Sequence, residues 1–292
     1  MGPPTLAARD LRRTYGPVAA LDGVDLELSG PEILGVAGPN GSGKTTLIRA
    51  LLGLEAPTDG EATVDGTPAG ALDAATRARI GYMPQATAVY DDLTVRENVG
   101  FFASLYGVDD RAAAIDAALS FVDLGDRADD RIGTLSGGMV RRASLVCAVV
   151  HDPDVLALDE PTVGLDPELR QAMWAGFRER REAGSLVLVS THYLEEVRRC
   201  DRVLLLREGR VLASDAPASL RERTGAEDME GAFLALLDAD GGRTSAPDPG
   251  RDDGGRDDGG RDDGGRENGG GMGVGGREDD ADTGPGGREG DQ

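Results

Sequence analysis

Apolar positions recur along this chain in two rhythms, and the rhythm changes mark its elements. Residues 5–28 alternate as strand, turn and strand, with the turn at Tyr15-Gly16-Pro17 and period-two alternation over residues 24–28. Ile33, Leu34, Val36 and Ala37 form a short apolar run broken only by Gly35, which predicts a buried strand. Leu47, Ile48, Leu51 and Leu52 then follow at helical spacing, and Gly53 and Pro57 end that helix. Residues 60–65 read as a strand, 71–79 as a helix, and 80–84 as a strand ending at Gln85.

From Thr94 to Val150 the pattern is helical throughout. Thr94 and Glu97 have the spacing of a capping box, and Phe101, Phe102, Leu105 and Tyr106 form an apolar stripe closed by Gly107. Residues 111–123 and 135–150 predict two more helices. Strands at 155–160, 185–190, 201–206 and 209–213 then alternate with helices at 167–181 and 193–199, and 230–237 reads as a short amphipathic helix. Helices alternating with apolar strands imply a mainly parallel sheet. The expected fold class is therefore α/β, with an antiparallel β face at the start and a helical subdomain inserted at about 90–150.

Composition bounds the folded part. From Asp240 onward Gly, Asp and Arg dominate, RDDGG recurs at 251, 256 and 261, and apolar residues almost vanish. Such a segment buries too little to offset the entropy of ordering. Residues 1–238 are expected to fold and 239–292 to form a disordered acidic tail.

The net charge is −22, a sign that argues against a nucleic-acid or anionic-membrane binder. An acidic surface with Arg in place of Lys fits a halophilic host, whose salt screens self-repulsion. A GC-rich genome would deplete Lys as well. The two cysteines, Cys147 and Cys200, read as reduced thiols. The N-terminus MGPPTLAARD shows no apolar leader, and the longest apolar run, 145–150, is far short of a membrane span.

The chemistry concentrates between the first buried strand and the helix after it. Gly38-Pro39-Asn40-Gly41-Ser42-Gly43-Lys44-Thr45 fits G-x-x-x-x-G-K-[ST], the phosphate loop called Walker A, in its required strand–loop–helix context. Backbone N–H groups of such a turn converge on an anion, and the helix adds its positive end. Lys44 would reach the β- and γ-phosphates, Thr45 would ligate Mg²⁺, and Thr46 is grouped with them as nucleotide-binding. Of the chain's 31 basic residues, 30 are Arg and the single Lys is Lys44. An ammonium has been kept where a compact point charge suits phosphate.

Two further motifs extend the picture. The apolar run 155–158 ends in Asp159-Glu160, the form of a Walker B strand, where one carboxylate can hold Mg²⁺ and the next can deprotonate water. Leu135-Ser136-Gly137-Gly138 opens a helix that Ser136 can cap and whose glycines admit a phosphate. One ATP has no need of two phosphate cradles in one chain, whereas two chains arranged head to tail would use both.

In order and spacing, the chain resembles the ATP-binding subunit of an ABC transporter over residues 5–238. LSGGM at 135–139 is similar to the family signature LSGGQ; VLALDEP at 155–161 resembles Walker B, GLD at 164–166 the D-loop, and STH at 190–192 the switch-histidine segment. The resemblance implies a P-loop NTPase core, ATP and Mg²⁺ as ligands, and a homodimer coupled to a separate membrane-spanning permease at the cytoplasmic face of the cell membrane. It assigns Glu160 as general base and His192 to the γ-phosphate. Ser136, Gly137 and Gly138 fall to ATP bound by the partner subunit, and Asp166 to coupling between the two sites. Tyr15 is assigned to stacking on adenine, and Thr45, Gln85 and Asp159 to the metal.

Blander roles stand beside these: a surface aromatic for Tyr15, a satisfied strand-end histidine for His192, a helix cap for Asp166, a structural or exposed place for His151. The signature departs from the family at Met139, which lacks the amide of the usual Gln. LSGGM followed by Arg141-Arg142, together with residues 93–108, 191–203 and 231–237, is similar to the drug-export branch, so export is the expected direction. A non-transport ABC ATPase and a non-hydrolysing ATP-binding regulator are the alternative readings.

Overall fold

The inner strands of the main sheet are apolar on both faces because each face meets a different layer. In a computed structural model, which describes residues 3–244, Ile33–Ala37 forms β3, the third strand of the chain. Before it, Thr5–Tyr15 (β1) pairs antiparallel with Val18–Ser29 (β2). Lys44–Leu51 (α1) follows the glycine loop, and Asp59–Val64 (β4) then pairs antiparallel with β1 and with the two-residue Thr67–Pro68 (β5). These strands form a four-stranded sheet in the order β2-β1-β4-β5.

The helix expected at 71–79 is only Ala74–Arg77 (α2), where Asp73 caps the turn through Thr76 N–H at 2.8 Å. Ile80–Met83 (β6) follows. Val95–Leu105 (α3) starts on the expected capping box, with both reciprocal bonds formed by Thr94 and Glu97. Arg111–Phe121 (α4) and Gly137–Val149 (α5) complete the helical stretch, with short 3₁₀ turns between them.

Val155–Asp159 (β7), Pro167–Glu182 (α6), Leu186–Thr191 (β8), Arg202–Arg207 (β9) and Arg210–Asp215 (β10) follow. The six-stranded sheet runs β10-β9-β3-β8-β7-β6, parallel throughout except for the antiparallel edge strand β10. Instead of the helix expected at 193–199 there is a 3₁₀ turn, Glu196–Arg199. Pro217–Thr224 (α7), not anticipated, begins on a proline and ends at Gly225 in the left-handed region. The final helix, Met229–Thr244 (α8), is longer than the expected 230–237; the rest of the acidic tail lies outside the described residues.

Side-chain alternation sorts the core into two clusters. Leu186, Leu188, Leu204 and Leu206 face the antiparallel sheet and sandwich α1 with Leu6, Leu11 and Leu21. Val187, Val189, Val203 and Leu205 face the opposite way, onto Trp174 and Phe177 of α6 and the α3–α5 helices. Continuous apolar runs in the sequence are the consequence.

His151, between α5 and β7, ties the helical stretch to this sheet. Its ring stacks on Tyr106 with centroids 3.7 Å apart and planes at 13°, and its Nε2 lies 3.2 Å from the carbonyl of Ile80. Its Nδ1 is buried without a partner among the described residues. Burial pushes the imidazole down to about 4. The unfolded chain, with an ordinary histidine near 6.5, takes up the proton first on acidification. Stability from this group is therefore full above about pH 6.5 and falls away as pH drops toward 4, by up to about 3 kcal/mol. Urea unfolding of His151→Gln between pH 7 and pH 4 should show a shallower loss than the wild-type chain. Parallel curves would remove His151 as the cause.

Candidate active site

The phosphate loop turns where only glycine fits. Gly38 and Gly43 have φ of +155° and +104°, and a Cβ on them would stand 2.1 Å from the Leu206 carbonyl and 2.4 Å from that of Ala20. The loop is thereby pressed against β9 and β2, and α1 starts at Lys44 with its N–H groups free to face an anion. A cavity of ≈ 280 Å³ opens there, lined by residues 40–46 with Ala20, Gln85 and Glu160. The Lys44 ammonium donates to the carbonyls of Gly38 (2.9 Å) and Pro39 (3.1 Å). Burial lowers its pKa, while Glu160 and Asp159 act against that.

Strand β7 delivers two buried carboxylates to the same place. Asp159 is fully buried; one oxygen accepts from the Ser190 hydroxyl, and the other meets no donor among the described residues. Glu160, 7% exposed, adopts a left-handed φ of +52° that turns its side chain into the cavity. Its backbone N–H is held by the Ser190 hydroxyl at 2.9 Å. One carboxylate oxygen lies 3.1 Å from His192 Nδ1 and 3.8 Å from Lys44 Nζ, and the other accepts from Gln85 Nε2 at 3.1 Å. Phosphate loop, Gln85 loop, β7 and β8 therefore converge on one acid.

An acceptor-only oxygen with no donor, in a buried site beside a phosphate loop, is what a hard cation would satisfy. The unpartnered hydroxyl of Ser42, also buried, points to the same deficit. The unpartnered oxygen of Asp159 thus fits a Mg²⁺ ligand, and Thr45 and Gln85 line the adjoining cavity.

The remaining motif residues stand apart from this cavity. Ser136 caps α5 through Met139 N–H at 3.4 Å, and a Cβ on Gly138 would stand 3.9 Å from the Gly164 carbonyl and from the Leu165 side chain, so the signature adjoins the D-loop. Asp166 caps α6 through Leu169 N–H at 2.9 Å, with Pro167 at the first helical position. The Met139 side chain packs on the core cluster, and its N–H is taken by the Ser136 cap. Tyr15 is half exposed; its hydroxyl donates to Glu55, and the Arg13 guanidinium lies 4.7 Å over its ring.

Residues 21–163 match the family described as ABC transporter. A Nod factor export ATP-binding protein I of Burkholderia orbicola (strain AU 1054) is 42% identical over 217 residues, 73% of this chain and 71% of that protein. The chain belongs to the ABC transporter family. It is an ATP-binding, ATP-hydrolysing subunit of the exporter type. A probable multidrug ABC transporter ATP-binding protein of Escherichia coli (strain K12) is 34% identical over 81% of this chain and 42% of its own length. Among solved structures, the dimeric post-hydrolysis state of the ATP-binding cassette MJ0796 bound to ADP and phosphate superposes with a TM-score of 0.68. It is 26% identical and covers 72% of this chain and 98% of that one.

Spacing alone does not reveal the role of Arg141 in this ABC subunit. Arg141, buried on α5, donates to the carbonyls of Gln85 and Asp159, both at 2.6 Å, and also to those of Pro84 and Glu160. One guanidinium thus binds the Gln85 loop to the end of β7. Burial lowers its pKa, and the nearby Asp159 and Glu160 oppose the shift. A signal exists in the first arginine following LSGGM, two residues past Met139, but nothing in spacing identifies backbone carbonyls as partners.

Arg141→Met should cost about 3 kcal/mol by orphaning buried carbonyls, a drop of about 8 °C in Tm. Arg141→Lys should recover less than half, since an ammonium lacks the planar fork. A thermal scan showing less than about 1 kcal/mol lost in both variants would overturn that account.

Proposed function

We propose that this ABC subunit hydrolyses ATP with Glu160 as general base in a site shared by two copies arranged head to tail. The carrying observation is that Lys44, Gln85 and His192, from three separate segments, all reach the one buried carboxylate at the end of β7. In this reading residues 38–46 and Lys44 hold the triphosphate of ATP, and Thr45, Gln85 and Asp159 hold Mg²⁺. The metal neutralises phosphate charge when bound. Glu160 takes the proton of the attacking water, and His192 orients that acid and meets the γ-phosphate.

Tyr15 stacks on adenine. Ser136, Gly137 and Gly138 receive the phosphates held by the partner copy, and Asp166 links the two sites. ATP then favours the closed dimer because only the closed form makes both sets of contacts. The two-copy arrangement is supported by the dimeric cassette that this chain resembles and by a second N–H-rich helix start away from the cavity.

The partner that converts closure into movement is a membrane-spanning permease, consistent with the export named in the relatives. No described helix is long and apolar enough to cross a membrane. The permease seats on α3, where Phe101 and Leu105 are exposed and Tyr90 stacks edge-on against Phe101 with centroids 5.4 Å apart. A small cavity lined by Pro84, Ala88 and Phe102 lies beside the residue preceding Gln85. The subunit then lies at the cytoplasmic face of the membrane. Residues 1–238 act as the ATP-binding domain of a halophilic chain.

Phosphate release in molar KCl tests the catalytic assignment. Glu160→Gln should lower turnover by about two orders of magnitude or more, and equal rates for both forms would remove Glu160 as the base. With ATP and Mg²⁺, Glu160→Gln should sediment as a dimer. A monomer, alone and with its permease, would dismiss the shared site.

A further inference from the structure

Glu196 is a buried carboxylate behind the active site, only 5% exposed, in the 3₁₀ turn that follows β8. Its turn can tuck beneath β3 because Gly35 has no side chain. A Cβ there would stand 2.8 Å from Cys200 Sγ and 3.2 Å from Val197. This accounts for the one break in the apolar run of β3.

The partners of Glu196 come from three segments. Its Oε2 accepts from the Thr162 hydroxyl at 2.8 Å and from the Thr191 hydroxyl at 3.1 Å. Its Oε1 lies 3.3 Å from Arg170 Nε on α6. Thr162 is two residues past Glu160, and Thr191 immediately precedes His192. The Thr191 hydroxyl also accepts from Tyr193 N–H at 3.0 Å, so its proton is committed to Glu196 and the bend carrying His192 is fixed on both sides. Arg170 is in ion-pair range of that carboxylate without a hydrogen bond to it, and its Nη2 donates to the Leu165 carbonyl at 3.2 Å, so the guanidinium lies between the D-loop and Glu196.

These bonds close a ring. From Glu160 it runs through Thr162 to Glu196, on through Thr191 to His192, and back to Glu160 across 3.1 Å. We propose that Glu196 is a positioning residue for hydrolysis: it sets the spacing between His192 and Glu160 and registers it to the D-loop through Arg170. A carboxylate suits the position because it accepts two hydroxyl protons on one oxygen while the other faces a guanidinium. A neutral side chain of the same shape keeps the first function and weakens the second. Taking the carboxylate away leaves two buried hydroxyls without their acceptor and a part-exposed guanidinium without its counter-charge, and the His192 bend loses its anchor.

This role rests on the catalytic reading of Glu160 and His192, and the test separates the two. Steady-state ATP hydrolysis of the full chain in molar KCl is measured for Glu196→Ala, Glu196→Gln, His192→Ala and the Glu196→Ala/His192→Ala double variant, beside Glu160→Gln. Glu196→Ala should lower kcat about tenfold or more with KM for ATP within about twofold. Glu196→Gln should recover most of kcat, because its amide oxygen still accepts from both threonines. The double variant should be no slower than the slower single one, since both changes remove one contact.

Should Glu196→Ala not fold, Thr191→Val takes its place in the same cycle with the same expectation. Multiplying losses in the double variant, a loss seen in KM rather than kcat, or a Glu196→Gln as slow as Glu196→Ala would each overturn the positioning role while leaving Glu160 as base. Undiminished turnover in Glu160→Gln would overturn the catalytic reading itself, and this role with it.

Discussion

Two successive carboxylates are buried at the end of one strand, and the architecture of this subunit can be read as the means of supporting them. Taking a charge out of water costs several kcal/mol unless donors surround it. Asp159 and Glu160 draw theirs from places far apart in the chain: Ser190 on β8, His192 just beyond it, Gln85 after β6 and Lys44 at the start of α1. Only a parallel sheet with β3, β8, β7 and β6 side by side brings those strand ends to one edge. The crevice beyond the carboxyl ends of such strands is where ligands collect in open α/β sheets. Here the same crevice is where the buried charge demands donors.

The arrangement also explains the backbone of Glu160. A left-handed non-glycine residue is costly and persists only where the surroundings over-determine it. The Ser190 hydroxyl on its N–H and the Arg141 guanidinium on the carbonyls of residues 159 and 160 supply that restraint. Reversing the chain direction at this residue lets consecutive carboxylates face different tasks. Asp159 turns to Ser190 and keeps one oxygen without a donor among the described residues, while Glu160 lines the cavity beside the phosphate loop.

Much of this was legible in the sequence because it rests on local periodicity and on spacing between short motifs. Val155–Asp159, Leu186–Thr191 and Arg202–Arg207 showed as apolar runs because both faces of the sheet are covered, and the capping box at Thr94 announced α3. The expected helix over 71–79 shrank to one turn because Asp73 and a proline-led bend break it. The helix over 193–199 became a 3₁₀ turn because it must fit against Gly35 of a strand distant in sequence. Helix α7 gave little periodic signal, having only Pro217 and Leu220 buried. The same limit hid Arg141 and Glu196. Their partners are backbone carbonyls and hydroxyls on other elements, and no spacing rule encodes those.

Met139 shows how the two levels combine. By residue type it removes an amide from the signature, and on sequence alone that loss raised a non-hydrolysing regulator as an alternative. In the structure its side chain packs against the core, and its N–H serves the Ser136 cap. The anion-facing chemistry of a helix start resides in backbone N–H groups and the cap. A side chain turned inward at this position therefore leaves that chemistry in place, while the intact carboxylate of Glu160 argues separately for turnover. The substitution changes how α5 is anchored to the helical stretch, and the second cradle keeps its backbone donors.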